Sequence, residues 1–471
     1  MTIHKRALST AIILAALSPV LVQPVAAADK PNFVIIFCDD MGYQDLECFG
    51  APKIKTPRID RMAAEGMKFT SFYGQTVCGP ARAALMTGSY PLRVEKVPNP
   101  VQKIDIHPIV HTDEVMIPEI LKEVGYATAA FGKWDLAGHS QTQFKPDFMP
   151  NRQGFDYFFG TPSSNDREVN LLRNEKMVKK KAAMGSLTKA YTDEAIQFIE
   201  KNHKQPFFVY LAHSMPHTKL GVSKPFKGKS AQGLYGDVIQ ELDFHTGRLL
   251  DKLKELEIDD NTYVVFTSDN GPWWVKKDHG GSALPLRGAK TSTWEGGLRV
   301  PTIIRAPGKI KAGTVSDQPA SHMDFLPTFA NLAGGTVPTD RVLDGRDLSK
   351  LLEGGSDPEL KARTIFYYQH THLQAVRQGK WKLIVPRPAK PIVVPPSWAK
   401  MVPKSDLVEI TKPMLIDLDA DISEQKDVAN AHPEVVESLM KQIEWARRDI
   451  GDREQIGKNA RLPKKSEGEN N

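Results

Sequence analysis

The chain has 471 residues, of which 41% are hydrophobic and 25% are charged, and its formal net charge is +6. This length allows one large hydrophobic core together with a smaller domain. The charge is too mild to indicate a nucleic-acid-binding protein, and it neither requires nor excludes a polyanionic substrate.

The N-terminus has the pattern of a secretory signal peptide. Lys5 and Arg6 give it a basic start, residues 11–22 are apolar, and the alanines at 26–28 provide a cleavage site. The apolar run is too short to span a bilayer comfortably, and no other stretch is apolar enough to do so. We therefore expect residues 1–28 to be a signal peptide. The mature protein is expected to be periplasmic or secreted in a bacterium, without stable membrane insertion.

Strands and helices alternate along most of the mature chain. Short apolar runs, typical of buried parallel strands, are followed by segments with helical periodicity. The predicted strands are 32–38, 126–131, 206–212, 262–267 and 301–304, and the predicted helices are 59–67, 114–124, 191–202 and 235–256. The alternation predicts an α/β fold with a large, doubly wound, mostly parallel sheet flanked by helices.

A turn-rich segment at 352–357 predicts the end of this domain, which would span residues 29–355. The following residues 356–450 predict a smaller α+β domain. Short strands at 364–368, 375–377 and 381–385 favour an antiparallel sheet, and 434–448 has the apolar face of an amphipathic helix. We expect a long loop at 386–403 and a frayed polar tail at 451–471.

The chain has three cysteines, an odd number for an exported protein. Cys38 ends an apolar run, which favours a buried free thiol over a disulfide with Cys48, although one such bridge is an alternative.

Polar side chains follow two of the predicted strands directly. Asp39 and Asp40 come after the first strand, and Asp269 and Asn270 come after the strand at 262–267. Ligands of parallel sheets gather at the carboxyl ends of the strands, and an all-oxygen set suits Ca²⁺ or Mg²⁺. Either pair alone could simply form a turn. The two pairs together indicate a metal site.

Cationic side chains follow other strands at the same predicted edge. Lys133 comes after the strand at 126–131, His213 and His217 follow the strand at 206–212, and Lys290 lies in a glycine-punctuated loop. Each could be an ordinary surface or loop residue, and we interpret His213 as structural. Together, converging cations suit the binding of a tetrahedral oxyanion.

Cys78 begins the segment CGPARAALMTG. A thiolate nucleophile needs a partner that lowers its pKa, and no histidine follows Cys78 closely. Instead, Pro80 and Arg82 open a short alanine-rich helix that Gly88 closes. By itself this segment also fits a buried structural cysteine at the start of a helix.

The Cys-x-Pro-x-Arg pattern resembles the motif of the formylglycine-dependent sulfatases, in the alkaline phosphatase-like superfamily. In these enzymes the cysteine is oxidised to formylglycine, an aldehyde. Segments that resemble the family occur in order along nearly the whole mature chain, at 39–50, 56–60, 132–134, 268–271, 290–301 and 379–383. The resemblance implies a sulfuric ester hydrolase and a maturing enzyme that converts Cys78.

The resemblance also implies a metal ion, Ca²⁺ rather than Mg²⁺. Its implied ligands are Asp39, Asp40, Asp269, Asn270 and the modified Cys78.

A hydrated aldehyde has two hydroxyls: one attacks sulfur and displaces the alcohol, and the other then expels sulfate. A serine would instead be left with a sulfate ester that is hard to hydrolyse. Asp269 is the candidate for promoting the attack.

The remaining catalytic roles implied by the resemblance belong to four cations. Arg82 and Lys133 would hold the hydrate and favour its deprotonation. Lys290 and His217 would bind the sulfate, and one of the two would protonate the leaving alcohol.

One position departs from the family. The chain has Asp135 in the segment GKWDLAG, where the family usually has a histidine that contacts the hydrate and the sulfate. Asp135 could keep a role in handling protons, or His139 could fill the space. His370, in the smaller domain, is a further candidate for contact with the substrate.

Three functions are compatible with these observations. The first is removal of sulfate from a sulfated polysaccharide or oligosaccharide, with an algal galactan such as carrageenan favoured over a glycosaminoglycan. The second is an arylsulfatase, or a phosphonate or phosphate monoester hydrolase of the same superfamily. The third is a non-catalytic protein that binds sulfated glycans, suggested only by Asp135.

Overall fold

The structure is a computed structural model that describes residues 30–94, 110–138, 140–390, 404–453 and 455–461. The predicted signal peptide, His139 and most of the predicted loop at 386–403 lie outside these residues. In the described part of the chain, no helix is long and apolar enough to cross a membrane.

The strands form one large sheet, a second sheet in the C-terminal region and two short pairs. Their bounds are β1 Asn32–Cys38, β2 Met67–Phe69, β3 Phe72–Tyr73, β4 Ala127–Lys133, β5 Tyr157–Thr161, β6 Val169–Arg173, β7 Lys176–Ala182, β8 Phe207–Ala212, β9 Thr262–Ser268, β10 Thr302–Arg305, β11 Thr314–Ser316, β12 Ala320–Ser321, β13 Thr364–Gln369, β14 His372–Gln378, β15 Trp381–Ile384, β16 Met414–Asp417, β17 Gly451–Asp452 and β18 Gln455–Ile456.

Helices cover both faces of the large sheet and one face of the smaller one. Their bounds are α1 Pro57–Ala64, α2 Cys78–Thr87, α3 Pro91–Val94, α4 Ile117–Glu123, α5 Leu187–Asn202, α6 Gly233–Glu255, α7 Glu295–Leu298, α8 Phe325–Ala333, α9 Ser349–Leu352, α10 Pro358–Lys361 and α11 Pro433–Asp449.

The large sheet has ten strands in the order β11-β2-β10-β9-β1-β8-β4-β5-β6-β7. The five central strands, from β9 to β5, are parallel to one another. Alternate residues of β1 enter two different cores: Phe33, Ile35 and Phe37 lie in one, and Val34 and Ile36 in the other. A strand that is buried on both faces has an unbroken run of apolar residues, and this pattern is what predicted these strands from the sequence. The predicted architecture is confirmed.

The predicted strand at 301–304 is present as β10, but its predicted parallel direction is wrong. β10 pairs antiparallel with both β9 and β2. After β9 the chain forms the site loop and returns through the short helix α7 at the same edge of the sheet. It makes no crossover to the opposite edge, so β10 runs back beside β9.

The C-terminal sheet is a four-stranded antiparallel sheet in the order β13-β14-β15-β16. Helix α11 packs on one face through Leu439, Ile443 and Ala446, which are buried together with residues of the sheet. The other face packs on the large domain, where Ile365 and Ile416 share a core with Tyr73, Trp294 and Leu298. The predicted α+β character of this region is confirmed.

The prediction of a frayed tail is wrong for its described part. β17 and β18 form a hairpin, and the Arg461 side chain donates to Glu114 Oε1 at 2.7 Å and to Ser89 Oγ at 2.9 Å. These buried partners fix the chain to the large domain. Cys38, Cys48 and Cys78 are free thiols.

Candidate active site

The two predicted acidic pairs meet because β1 and β9 are adjacent and in register. Cys38 lies opposite Ser268, so Asp39 and Asp269 follow at the same level. The backbone N–H of Asp40 donates to Asp269 Oδ1 at 3.0 Å. Asp40 has a φ of 66°, and this left-handed turn lets consecutive carboxylates approach the same point. Asp39 and Asp40 are both buried.

Arg82 and Lys133 neutralise the acids on one side of this cluster. Lys133 Nζ donates to Asp39 Oδ2 at 2.7 Å, and Arg82 Nη2 donates to Asp269 Oδ2 at 3.3 Å. Arg82 also donates to the backbone oxygen of Lys133 and to the Tyr210 hydroxyl, at 3.0 and 3.1 Å. The guanidinium and ammonium groups are completely buried, so their positions are fixed by these bonds.

The pKa values of the two acids respond in opposite directions. Burial opposes ionisation of Asp39, but the charges of Lys133, His217 and Arg82 outweigh it and hold its pKa well below the usual range. Burial and the negative charge of Asp39 raise the pKa of Asp269 well above its usual value. The cluster therefore contains one firmly ionised carboxylate beside one that retains a proton more readily.

Asp40 organises the other side of the cluster. Its Oδ1 accepts hydrogen bonds from Lys290 Nζ at 2.6 Å and from Asn270 Nδ2 at 2.8 Å. His217 Nε2 lies 3.7 Å from Asp40 Oδ2. The Asp40 carboxylate raises the pKa of Lys290 above its usual value despite burial, so this ammonium is a fixed positive charge. Burial lowers the pKa of His217.

Three buried oxygens of the cluster have no hydrogen-bond partner: Asp39 Oδ1, Asp40 Oδ2 and Asn270 Oδ1. An unpaired buried carboxylate oxygen is costly, so such atoms in one place call for a ligand. Ligand atoms of Asp39, Asp40 and His217 lie within 4.8 Å of one another, as do those of Asp39, Cys78 and Asp269. Oxygens from carboxylates and an amide suit a hard divalent cation. The residues present therefore fit the metal implied by the sequence.

Cys78 faces this cluster from the first residue of α2. Burial raises the pKa of its thiol to about 12, although Lys133 and Lys290 act in the opposite direction. Its Sγ donates to Asp135 Oδ2 at 3.5 Å, and Lys133 Nζ lies 3.5 Å from the same oxygen. Asp135 has a φ of 58°, so the chain turns directly after β4 and directs both Lys133 and Asp135 at Cys78. An unmodified thiol in this place is a poor nucleophile near neutral pH.

The cluster lies at a cavity of about 670 Å³. Five of the predicted site residues line this cavity, namely Cys78, Asp135, His217, Lys290 and His370. Asp40 lies behind the lining and contacts Lys290. Arg82, Lys133, Asp39, Asp269 and Asn270 form the buried support beside it. His139 lies outside the described residues. His213 does not belong to this group: it is buried, and burial lowers its pKa to about 3.

Sequence reasoning missed Trp273 in this cavity. Its ring lies 4.6 Å from Lys290 Nζ and 5.0 Å from the His217 ring, between centroids. Trp273 lies three residues after Asn270 in the loop that follows β9, and this nearness to the strand end is the signal that could have indicated it. The loop between β5 and β6 adds Asp166, whose Oδ1 lies 3.8 Å from His217 Nε2. Its sequence carries no comparable signal.

Family models match most of the chain. One described as Sulfatase matches residues 31–335, and one described as C-terminal region of aryl-sulfatase matches residues 360–468. The chain belongs to the sulfatase family. Residues 289–385 also match a model described as N-sulphoglucosamine sulphohydrolase, C-terminal.

Curated relatives of this sulfatase cover about three quarters of the chain. N-acetylgalactosamine-6-sulfatase of Canis lupus familiaris is 39% identical over 397 residues, which are 79% of this chain and 74% of the relative. Steryl-sulfatase of Homo sapiens is 33% identical over 435 residues, which are 74% of each chain. The family and the named relatives establish this protein as a sulfuric ester hydrolase, so the non-catalytic alternative is excluded.

Among solved structures, Ps i-CgsB in complex with k-i-k-neocarrahexaose has a TM-score of 0.75 and 29% identity, and the match covers 91% of this chain and 95% of that one. A structure connected with the metabolism of multiple glycosaminoglycans by Bacteroides thetaiotaomicron has a TM-score of 0.76 and 28% identity, covering 88% and 99%. Both share the two-domain architecture described above.

Proposed function

We propose that this sulfatase removes sulfate from a sulfated carbohydrate, and that Cys78 acts in its formylglycine form beside a bound Ca²⁺. The observation that carries this proposal is the environment of Cys78. Its thiol is buried with a raised pKa, yet it faces unpaired oxygens and fixed cations at the cavity. A hydrated aldehyde supplies the nucleophilic hydroxyl that such a thiol cannot supply.

The oxygen ligands support Ca²⁺ in preference to Mg²⁺. Asp39, Asp40, Asp269 and Asn270, with the oxygen of modified Cys78, would hold the ion. Ca²⁺ accepts the irregular geometry of such a set more readily than Mg²⁺, which demands a regular octahedron. When bound, the ion would polarise the Cys78-derived group and neutralise charge on a sulfate oxygen.

The remaining catalytic roles belong to side chains of the chain itself. Lys290 and His217, which approach Asp40 from the cavity, bind the sulfate, and one of them protonates the leaving alcohol. Lys133 and Arg82 hold the Cys78 side of the site and favour loss of a proton there. Asp269, whose pKa burial raises, suits acceptance of a proton during attack. Asp135 contacts Cys78 directly and takes the place of the usual histidine.

The names of the relatives favour a sugar of galactose type. One curated relative is named for N-acetylgalactosamine, and one solved neighbour was determined with a neocarrahexaose. We therefore propose a sulfated residue of galactose configuration, in a galactan such as carrageenan or in a glycosaminoglycan.

The basic start, apolar run and alanines of residues 1–28 support export to the periplasm or outside the cell. A sulfatase-maturing enzyme would be a necessary partner.

The test is sulfate release by protein coexpressed with a maturing enzyme. The panel contains N-acetylgalactosamine 6-sulfate, its glucose-configured isomer, carrageenan oligosaccharides, 4-nitrophenyl sulfate and 4-nitrophenyl phosphate. We expect release from at least one galactose-configured ester, and faster turnover of the sulfate than of the phosphate. Equal turnover of the two isomers would contradict the galactose assignment, and faster phosphate hydrolysis would contradict the proposed reaction.

A further inference from the structure

A basic surface lies beside the cavity, on edge strand β7 and on the loop at 218–230. We call it the basic rim and define it by Lys176, Lys179, Lys180, Lys181, Lys219, Lys224, Lys227 and Lys229, all of which are exposed. Residues 176–181 are exposed on both faces of the strand, including Met177 at 40% and Val178 at 50%. The loop contains no acidic residue.

The charges of the basic rim are almost entirely unpaired. Lys181 Nζ lies 3.0 Å from Glu168 Oε1. The other seven lysines make no ion pair within the described part of the chain. The whole chain has a formal net charge of only +6, whereas the basic rim brings eight lysines together on β7 and one loop.

The basic rim meets the wall of the cavity at Lys181 and at Lys219. The Lys181 backbone donates to Asn170 Oδ1 at 3.1 Å, and Asn170 and Glu168 both line the cavity. On the loop, the Lys219 backbone oxygen accepts a hydrogen bond from Asn165 Nδ2 at 3.2 Å. The same amide donates to the His217 backbone oxygen at 2.9 Å, which ties the loop to the site.

The loop also contacts the segment that directly follows β7. Gly221 lies against Met184, shortly after the end of β7, so closely that a Cβ at Gly221 would be 2.4 Å from the Met184 backbone carbon. Lysines on an edge strand also prevent pairing with other strands, which accounts for those on β7. That role does not account for the four unpaired lysines of the loop, which is not a strand.

We propose that the basic rim binds the anionic chain of a sulfated polysaccharide outside the cavity, while one sulfate ester of the same chain enters it. This inference rests on the proposed function and names its substrate as a polymer carrying several sulfates. Charge complementarity supports this occupant, because clustered, solvated lysines attract a polyanion. Lysine ammonium groups act as point charges and require no fixed spacing between sulfates, unlike the planar fork of arginine.

The test compares Lys179→Gln/Lys180→Gln and Lys224→Gln/Lys227→Gln with the control Lys309→Gln/Lys311→Gln. The control removes the same charge from exposed lysines between β10 and β11, near the opposite edge of the sheet. We measure Kd for polymeric carrageenan and for chondroitin sulfate, together with kcat/KM for 4-nitrophenyl sulfate, using the full-length enzyme.

At low salt (~50 mM), each rim variant should bind at least one polymer about 5-fold more weakly, with a reduced dependence of Kd on salt. Its kcat/KM for 4-nitrophenyl sulfate should be unchanged, and the control should bind like the wild type. Equal weakening in the control, or unchanged binding in both rim variants, would overturn the proposal. Equally tight binding of duplex DNA that is also lost in the rim variants would overturn the assignment to a sulfated glycan. Failure to release sulfate from any ester would contradict the proposed function, whereas the binding result would still decide this inference.

Discussion

Two of the buried charge clusters in the described part of the chain differ in one respect. The site cluster joins Asp39, Asp40 and Asp269 to lysine and arginine side chains at the cavity. The second, which we call the junction cluster, lies between the two domains and joins Glu295 and Glu424 to Lys382, Tyr73 and Tyr367. Both clusters consist of buried acidic and basic side chains.

In the junction cluster every carboxylate oxygen lies within 3.0 Å of a hydroxyl, an ammonium group or a backbone N–H, although Glu424 Oε1 is held by its ion pair with Lys382 alone. Glu295 accepts from the Tyr73 and Tyr367 hydroxyls, each at 2.7 Å, and Lys382 Nζ lies 3.0 Å from Glu295 Oε1. Lys382 Nζ also lies 2.7 Å from one oxygen of Glu424, and the Glu295 backbone donates to the other at 2.7 Å.

In the site cluster, by contrast, Asp39 Oδ1, Asp40 Oδ2 and Asn270 Oδ1 accept no hydrogen bond, and His217 Nε2 lies 3.7 Å from Asp40 Oδ2. A closed set of partners makes a structural junction, whereas unpaired oxygens beside a cavity indicate a place for a ligand.

The largest expected effect is on Cys78. Cys78→Ala should lower sulfate release by at least about 10³-fold, because the nucleophile is lost. The melting temperature should stay close to that of the wild type, because the substitution removes only one sulfur atom at the cavity and leaves the ion pairs of the site intact. The measurement is sulfate release with a thermal unfolding scan. Retained activity would show that Cys78 is not the nucleophile. The proposed difference between a catalytic site cluster and a structural junction cluster would then fail.

The next largest effect is expected on the metal dependence of the site cluster. Asp40→Asn should lower kcat by about 10²-fold and should raise the Ca²⁺ concentration that restores activity after chelation, because one oxygen ligand loses its charge. Asp45→Asn is the control, since both oxygens of this buried carboxylate already accept hydrogen bonds. Identical Ca²⁺ titrations of the two variants would contradict the metal assignment.

The junction cluster should affect stability and leave the chemistry intact. Glu295→Gln removes the charge that faces Lys382 and should lower the free energy of unfolding by about 3 kcal/mol, because buried cations are left uncompensated. At a temperature where the variant is folded, its kcat should equal that of the wild type. Glu47→Gln, at an exposed ion pair with Lys55, should leave the unfolding midpoint nearly unchanged. A large fall in kcat in folded Glu295→Gln would show that the junction serves catalysis.

An effect of similar size, spread over a range of pH, is expected from Glu424. Burial and the charge of Glu295 raise its pKa from 4.5 to about 7, against the opposing charge of Lys382. Between these values the folded state retains a proton that the unfolded chain has released. Its contribution to the free energy of unfolding therefore falls as pH rises through this range. Glu424→Gln should flatten the unfolding free energy between pH 4.5 and 7 relative to the wild type. An unchanged slope would contradict the raised pKa.

Much of the site cluster could be predicted because its acids follow the ends of buried strands. Neighbouring parallel strands place such residues at one edge, so Asp39 and Asp269 converge without any knowledge of the loops. The position of Asp135 could not be predicted, because it depends on a left-handed turn after β4 that the sequence does not encode clearly.

The junction cluster shows where sequence reasoning ends. Glu295 and Lys382 lie in two segments, 290–301 and 379–383, that both resemble the family, yet no pattern indicates that they meet. Their contact depends on how β15 approaches α7 when the two domains pack. The direction of β10 was mispredicted for a related reason, since an apolar run does not reveal whether the connection before it crosses the sheet.

The central claim is that the working group at position 78 is no longer a thiol. The most direct measurement is the mass of the tryptic peptide 69–82 from enzyme that is releasing sulfate. Our account predicts a peptide that has lost sulfur and two hydrogens and gained one oxygen, in proportion to specific activity. Full activity in a preparation whose Cys78 is entirely unmodified would contradict it.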